Sequence, residues 1–471
     1  MRVSHPSRLV ASALVTGAIL VTPLPLCAEF RAPIVADGIA TNIEGELQLG
    51  GTHPAPAMLI RNGGTFASSG KVRLGFSTTS GDHILLSGPG SSWTSTNEVA
   101  VGWSSSGNSL VVSNGASLST RYASLGVHGK NNTITITDPE STWTNRNAIH
   151  IGLGRRGEGN TLWITRGARV QSGAVGVGMN SGRSRLVIAG GGRLTCQGNL
   201  SIGATPSSRE NTARVEGEGS LMEISRPGGI LVGQTGEFGD PTEHLEIADG
   251  GSLATPLLVV ANTGTLLASN TVSMVRAGTV TNMGVIQTTG SDVAWLGQQV
   301  FLGGRFSGQA STNRFSGSVH VMPGGTWMLP KGGLLDFGKN LRIESTNDPS
   351  GLAASVLRFS GGIEHEIGIV GPDHGPDGTK ACLAFGAVSL GSAADVLSFT
   401  GLSSGGTNAV YVGDLDLLGD PNLVANLRAP PSVRIYYTPM HRSTTNLYLK
   451  NATYPLKGGG LLLPGAVPSG R

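Results

Sequence analysis

Cysteine is nearly missing from this sequence: Cys27, Cys196 and Cys382 are the only three among 471 residues. No CxxC occurs and the last two lie 186 positions apart, which excludes a multi-cysteine zinc site and a disulfide framework. Cys196 and Cys382 are left either to pair or to be buried as small apolar residues, and burial is the favoured reading. Aromatic residues make up 5% and charged residues 13% of the chain, the latter about half the usual ~25%, so an ordinary helical enzyme is a poor fit. The formal charge of +3 includes Arg2 and Arg8; without them 31 basic residues face 30 acidic ones. With that balance and no Lys/Arg-rich run, nucleic acid is not an expected partner. A Gly-x-Ser-x-Gly elbow between strand and helix, a phosphate loop and the nonapeptide calcium repeat are all absent, so no cofactor or metal is expected.

Apolar runs are short as well. Leu9 to Val21 form one, but Pro23 and Pro25 interrupt it too soon for it to span a bilayer. Behind Arg2 and Arg8, residues 1–28 read as a signal peptide cleaved after Ala28. That implies export to the extracellular side, the outer cell surface or the periplasm, with no transmembrane segment in the mature chain. Cys27 leaves a second route open, a lipid-anchored cysteine, because Leu24 stands three residues before it. Leu26 is larger than the small residue either signal prefers at that place.

Glycine, by contrast, is abundant: 73 residues, about double the usual ~7%. Hydrophobic residues still amount to 38% and recur as Val/Ile/Leu pairs, so the glycines punctuate strands rather than mark disorder. The organising signal is an apolar residue followed by glycine, at Gly75, Gly102, Gly126, Gly152, Gly178, Gly203 and Gly233, with spacings of 27, 24, 26, 26, 25 and 30. Between these marks three short alternating runs recur, as in Asn108 to Val112, Gly115 to Ser119 and Ala123 to Gly126, then again in Asn160 to Ile164, Gly167 to Gln171 and Ala174 to Gly178. Three strands of three to five residues cannot close a core alone. Coiled and stacked at about 4.8 Å, they pair their backbones between rungs and line an apolar interior. The expected fold is all-β, a right-handed parallel β-helix (β-solenoid) of about 25-residue, three-strand rungs, with an irregular C-terminal β region.

The expected organisation is a signal peptide over 1–28, an N-terminal lead-in or cap over 29–70, regular solenoid over 71–262, irregular solenoid over 263–362, and a C-terminal cap or small β-domain over 363–471. Some rungs carry a tryptophan variant, Gly88 to Thr94 and Asp138 to Thr144, with Trp93 and Trp143 50 residues apart. These indoles form either an exposed ladder for sugar rings or a stack at one interior corner. Their fixed rung position favours the interior.

The run Gly-x-Gly-Ser-x-Trp-Thr, followed by Glu98-Val99-Ala100-Val101-Gly102 and by Gly107 to Gly115, resembles the repeats of autotransporter-type passenger domains. The likeness covers about residues 71 to 260. The closing stretch, from Val410 to Leu415 through Ile435-Tyr436-Tyr437 to Leu461, also resembles the tails of exported bacterial repeat proteins. The resemblance implies a β-helical fold, export, and adhesion or self-association at the cell surface, with cell-surface polysaccharide or other copies of the chain as partners. The chain ends at Pro468-Ser469-Gly470-Arg471 without the alternating strands and terminal aromatic of a membrane barrel, so self-translocation by this polypeptide is not expected.

β-Helices also house polysaccharide lyases and glycoside hydrolases, which need clustered acids. The best cluster is Asp373-His374-Gly375-Pro376-Asp377-Gly378, in which Asp373, His374 and Asp377 are the weak catalytic candidates. A Gly/Pro-rich turn satisfied by aspartate side chains explains the same residues. Asp240, Glu243, His244 and Glu246 form a second acidic group, and Asp414, Asp416 and Asp420 a third. Solvated loops and strand faces are the expectation for both. Arg155-Arg156, before Gly157-Glu158-Gly159, reads as an exposed basic pair at a rung corner. A non-enzymatic surface scaffold or adhesin is therefore expected first, and a polysaccharide-active enzyme with its site between about Asp240 and Asp377 second.

Overall fold

The computed structural model describes residues 34–50, 57–76, 80–235, 242–329, 333–345, 352–378, 383–403, 405–439 and 443–465, with only the backbone at 271–273, and also the backbone of Leu9–Ala11 and Cys27–Phe30. Asp240, Cys382, the Cys27 side chain and most of the 1–28 segment lie outside the described residues. The chain is nearly all β and forms two compact units, Met1–Pro256 and Leu257–Arg471, which together hold about 16 parallel coils of roughly 25 residues. It is a β-solenoid.

In the first unit the alternation read from the sequence becomes three in-register columns. Ala36, Ile60, Leu86, Val112, Ile136, Ile164, Ile188, Val215 and Ile247 stack from coil to coil as the buried residues of the first strand. Leu49, Leu74, Val101, Leu125, Ile151, Val177, Ile202 and Val232 do the same on the third. Each fully buried aliphatic side chain contributes about 1.5–3 kcal/mol, and each needs the coils above and below to be covered. The 29–70 stretch, read as a lead-in or cap, already carries such strands: Ile34–Asp37, Ala40–Ile43 and Glu46–Leu49 pair in parallel with Met58–Arg61, Thr65–Ser68 and Val72–Leu74.

Trp93 and Trp143 are buried in the second-strand column, 0% and 1% exposed, where Phe66, Trp93, Leu118, Trp143 and Val170 follow one another. Leu118 separates the two indoles, so they do not stack on each other. Trp93 meets Phe66 edge-on at 5.9 Å, and the two indole N–H groups donate to Ser68 Oγ at 3.2 Å and Thr120 Oγ1 at 2.9 Å.

All seven glycine marks have positive φ, between 61° and 78°. Each donates its N–H to the carbonyl of the apolar residue that precedes the mark one coil back, as from Gly126 to Val101 at 2.8 Å and from Gly178 to Ile151 at 2.7 Å. Beside them runs a fully buried polar ladder: Asp82, Asn108, Asn132, Asn160, Ser184, Asn211 and Glu243. The backbone N–H of Asn108 donates to Asn132 Oδ1, and that of Asn132 to Asn160 Oδ1, each at 2.9 Å. Asn211 Oδ1 accepts from Ser184 at 3.0 Å, and Glu243 Oε2 accepts from Asn211 at 3.0 Å. The side chains of Asn108, Asn132, Asn160, Asn211 and Glu243 thus cap the N–H at the start of the first strand one coil back, which has no strand partner at the corner.

The second unit uses shorter coils at first. Thr265 pairs with Val285, Val285 with Arg305 and Arg305 with Thr326, a period of 20 to 21 residues; later Ile367 pairs with Phe399, a step of 32. Its core is aromatic. Trp295, Phe315, Phe337 and Phe359 stack face to face with centroids 5.9, 5.6 and 5.2 Å apart. Parallel coils continue through the 363–471 segment, as Glu364–Ile369 on Val396–Gly401 and Ala384–Leu390 on Asn408–Asp416. At the end Leu461–Pro464 pairs in parallel with Val433–Tyr437 and antiparallel with Tyr454–Pro455.

Candidate functional site

Asp373 is held by its surroundings. Its carboxylate accepts from the Gly375 N–H at 2.8 Å and the Tyr436 hydroxyl at 2.9 Å, and lies 3.3 Å from the Arg434 guanidinium. Tyr436 stacks on Tyr411, centroids 4.9 Å apart, and the Tyr411 hydroxyl donates to Gly375 O at 2.7 Å. Burial pushes the Tyr436 phenol up, and its hydrogen bond to Asp373 adds to the shift. His374 and Asp377 are exposed on the same turn. The aspartate of this loop thus serves to pin a turn onto the last coils. Among the described residues no group of three His, Cys, Asp or Glu side chains converges as a metal site would require.

The second acidic group departs from the solvated-loop expectation. Glu243 is fully buried as the terminal member of the polar ladder, and burial pushes its carboxyl above the usual range. Glu246 forms an ion pair with Arg214 at 3.1 Å. In the third group Asp414 accepts from the Ser443 hydroxyl, Asp416 from the Leu418 N–H at 2.9 Å, and Asp420 caps the short helix Pro421–Asn426 through the Asn422 N–H at 2.9 Å. Arg155 and Arg156 are exposed at their corner. Cys196 is a buried free thiol, raised in pKa by that burial.

A buried pair that the sequence does not announce lies in the second unit. His365 and Asp395, both 0% exposed, meet at 3.2 Å between Nε2 and Oδ1, and His365 Nδ1 lies 3.0 Å from Lys339 O. Asp395 also accepts from the N–H groups of Gly362 at 2.6 Å and Ser392 at 2.7 Å. With no open path to solvent, this pair fastens corners of adjacent coils together.

Hollows open on the outer faces, one of about 610 Å³ beside Arg155, Asn180, Pro206 and Arg209 and two on the strand faces. On the second unit Phe301, His320, Arg342 and Gly368 succeed one another in one outward row and line a hollow of about 190 Å³. Gln299, Ser318, Asn340 and Glu366 border it. The Phe301 and His320 rings lie 5.9 Å apart, and Glu344 pairs with both Arg342 and His320.

On the first unit the second-strand face carries two outward rows, Thr142, Arg169, Arg193, Leu221 and Thr144, Gln171, Thr195, Glu223. They line a hollow of about 440 Å³. The sequence holds a signal for this patch: strand alternation turns Arg169 and Arg193 outward, and their spacing of 24 residues sets them side by side on neighbouring coils. On the first-strand face Trp163 stands outward at 38% exposure, between Thr135 and Val187 of the adjoining coils.

No family model, curated protein or solved structure matches the chain. Among the described residues no helix is long and apolar enough to cross a membrane.

Proposed function

We propose that this chain is an exported, non-enzymatic β-solenoid that adheres, spaces or assembles at the cell surface, its contacts spread over repetitive faces. The observation that carries this reading is the pair of outward rows on the first unit. From Ser117 and Ser119 to Arg193 and Thr195 each coil adds one polar side chain to each row, at about 4.8 Å intervals along the stack, before Leu221 interrupts the first, and such a series suits a long ligand or a second array better than a single small molecule. The signal-like start of the chain and its resemblance to passenger repeats support export and surface display.

A second reading, a polysaccharide lyase or hydrolase, draws on the hollow at Phe301, His320, Arg342 and Glu366, which combines an aromatic wall with acid, base and cation inside the stretch where such a site is expected. One experiment separates the two. The purified mature chain is incubated with acidic and neutral polysaccharides while new reducing ends, unsaturated uronates and binding to the producing cells are measured. Surface binding or self-association without turnover supports the scaffold. Turnover abolished by Glu366→Gln, or by changes at Asp373 or Asp377, overturns it. Mass spectrometry of the mature N-terminus tests a tethered version, since an acylated Cys27 and a free Glu29 start exclude each other.

A further inference from the structure

We propose that the second-strand face of the first unit binds an acidic polysaccharide, with Arg169 and Arg193 gripping its anionic groups. This rests on the surface-binding reading above and names its ligand.

Arg169 and Arg193 are directly opposite one another on adjacent parallel strands, both exposed, about 4.8 Å apart along the stack. Like charges in that relation repel, so the pair is costly unless an anion lies across it. Six other arginines of this unit are neutralised across coils, Arg61 by Asp37, Arg73 by Glu46, Arg166 by Asp138, Arg183 by Glu210, Arg209 by Glu158 and Arg214 by Glu246, and among the strand pairings of the unit's described residues only Arg169 and Arg193 set one arginine against another. Arg169 and Arg193 have no carboxylate within ion-pair distance among the described residues. The opposite row supplies acceptors and donors but no charge until Glu223, which closes the far end.

The ligand follows from this chemistry. A guanidinium offers two parallel N–H donors to a carboxylate or sulfate, so two of them on successive coils recognise a chain that carries such groups in series. Thr142, Thr144, Gln171 and Thr195 around them suit a hydroxyl-rich backbone. No exposed aromatic lines the hollow to stack a base, which favours a sugar polymer over single-stranded nucleic acid. Uronates and sulfate esters share the same anionic oxygens, and the test distinguishes them.

The full chain is assayed on immobilised polygalacturonate, dextran sulfate and neutral dextran at low and moderate salt, with free inorganic sulfate and a single-stranded oligonucleotide as competitors. The expected result is binding to one or both acidic polymers, weakening with salt, and lost about tenfold or more in R169Q/R193Q. R155Q/R156Q, which removes the same charge elsewhere on the unit, keeps the affinity, and both variants melt like the parent. Preference for polygalacturonate identifies uronate, and preference for dextran sulfate identifies sulfate ester. No binding to either acidic polymer, equal loss in both variants, complete competition by inorganic sulfate at matched anion concentration, or tighter binding of the oligonucleotide overturns the proposal. If R169Q/R193Q still adheres to cells as the parent does, this ligand assignment falls and the surface reading stands. If the parent neither adheres nor self-associates, the surface reading itself falls.

Discussion

Asn160 fills the space that a side chain at Gly126 would need: a Cβ on Gly126 lies 2.0 Å from Asn160 Nδ2. The same relation joins Gly102 to Asn132 and Gly178 to Asn211, each at 2.1 Å. The glycine mark and the polar ladder are therefore one device, in which a bare corner admits the buried amide of the coil that follows. Gly126→Ala is expected to lower stability by at least about 2 kcal/mol, since alanine resists a φ of 72° and its methyl displaces a fully buried asparagine. Denaturant unfolding followed by circular dichroism measures the loss. An unchanged midpoint would separate the glycine from the ladder.

Glu243 makes a prediction of opposite sign to an ordinary ion pair. Because burial raises its carboxyl, the folded chain prefers the protonated form, so the stability linked to this group is present below the unfolded value near 4.5 and is lost as pH rises through the folded one. Glu243→Gln keeps an acceptor for the Asn211 N–H and removes the charge. The variant should melt above the parent at neutral pH, and the gap should close near pH 4. Melting curves across that window check it, and a destabilised variant at pH 7 would contradict the assignment.

Asp395 behaves the other way. Burial pushes its carboxyl up, but hydrogen bonds from His365, the Ser392 hydroxyl and the backbone of Gly362 and Ser392 outweigh it and hold the group below the usual carboxylate value. Its contribution is present above the unfolded value and disappears as pH falls through the lower, folded one. Asp395→Asn is expected to cost about 1–3 kcal/mol at neutral pH, because its NH2 must face donors from which the carboxylate now accepts, at His365 and Gly362 or at Ser392. The cost should shrink in strong acid, a difference that paired unfolding curves at two pH values resolve.

The tryptophans divide by face. Trp143→Ala empties the core and is expected to cost about 3–5 kcal/mol. Trp163→Ala, on the outer surface, should change stability by about 0.5 kcal/mol or less. Thermal melts measure the first contrast, and acrylamide quenching, reaching Trp163 but neither Trp93 nor Trp143, measures the second.

The sequence announces its coils at the corners where a positive φ and the buried amide of the next coil both call for glycine. Leu49-Gly50, 25 residues before Gly75, repeats the apolar-glycine pair in the 29–70 stretch, and Leu49 pairs in parallel with Leu74 there. Beyond Asn262 the coils persist, but the period drops to 20 and the spacer becomes aromatic, so a search tuned to 25 residues finds only loosened strands. Trp163 is legible from its neighbours, since Leu162 and Ile164 both turn inward. The pairing of His365 with Asp395 is not legible, because it joins residues 30 positions apart across coils whose length is itself changing. Arg169 and Arg193 look unremarkable one at a time; only the register of their coils makes them a charge pair.

The polar ladder also has a direction. In the steps from Asp82 to Asn108, Asn132 and Asn160, and again from Ser184 to Asn211 and Glu243, the donor belongs to the earlier coil and the acceptor to the later one. A nascent chain threading out N-terminus first would always display one corner amide awaiting its successor. Such a corner is finished only by the side chain of the coil that follows, and at Asn211 that side chain is a carboxyl rather than an amide, so this one closure answers to pH while those made by asparagine do not.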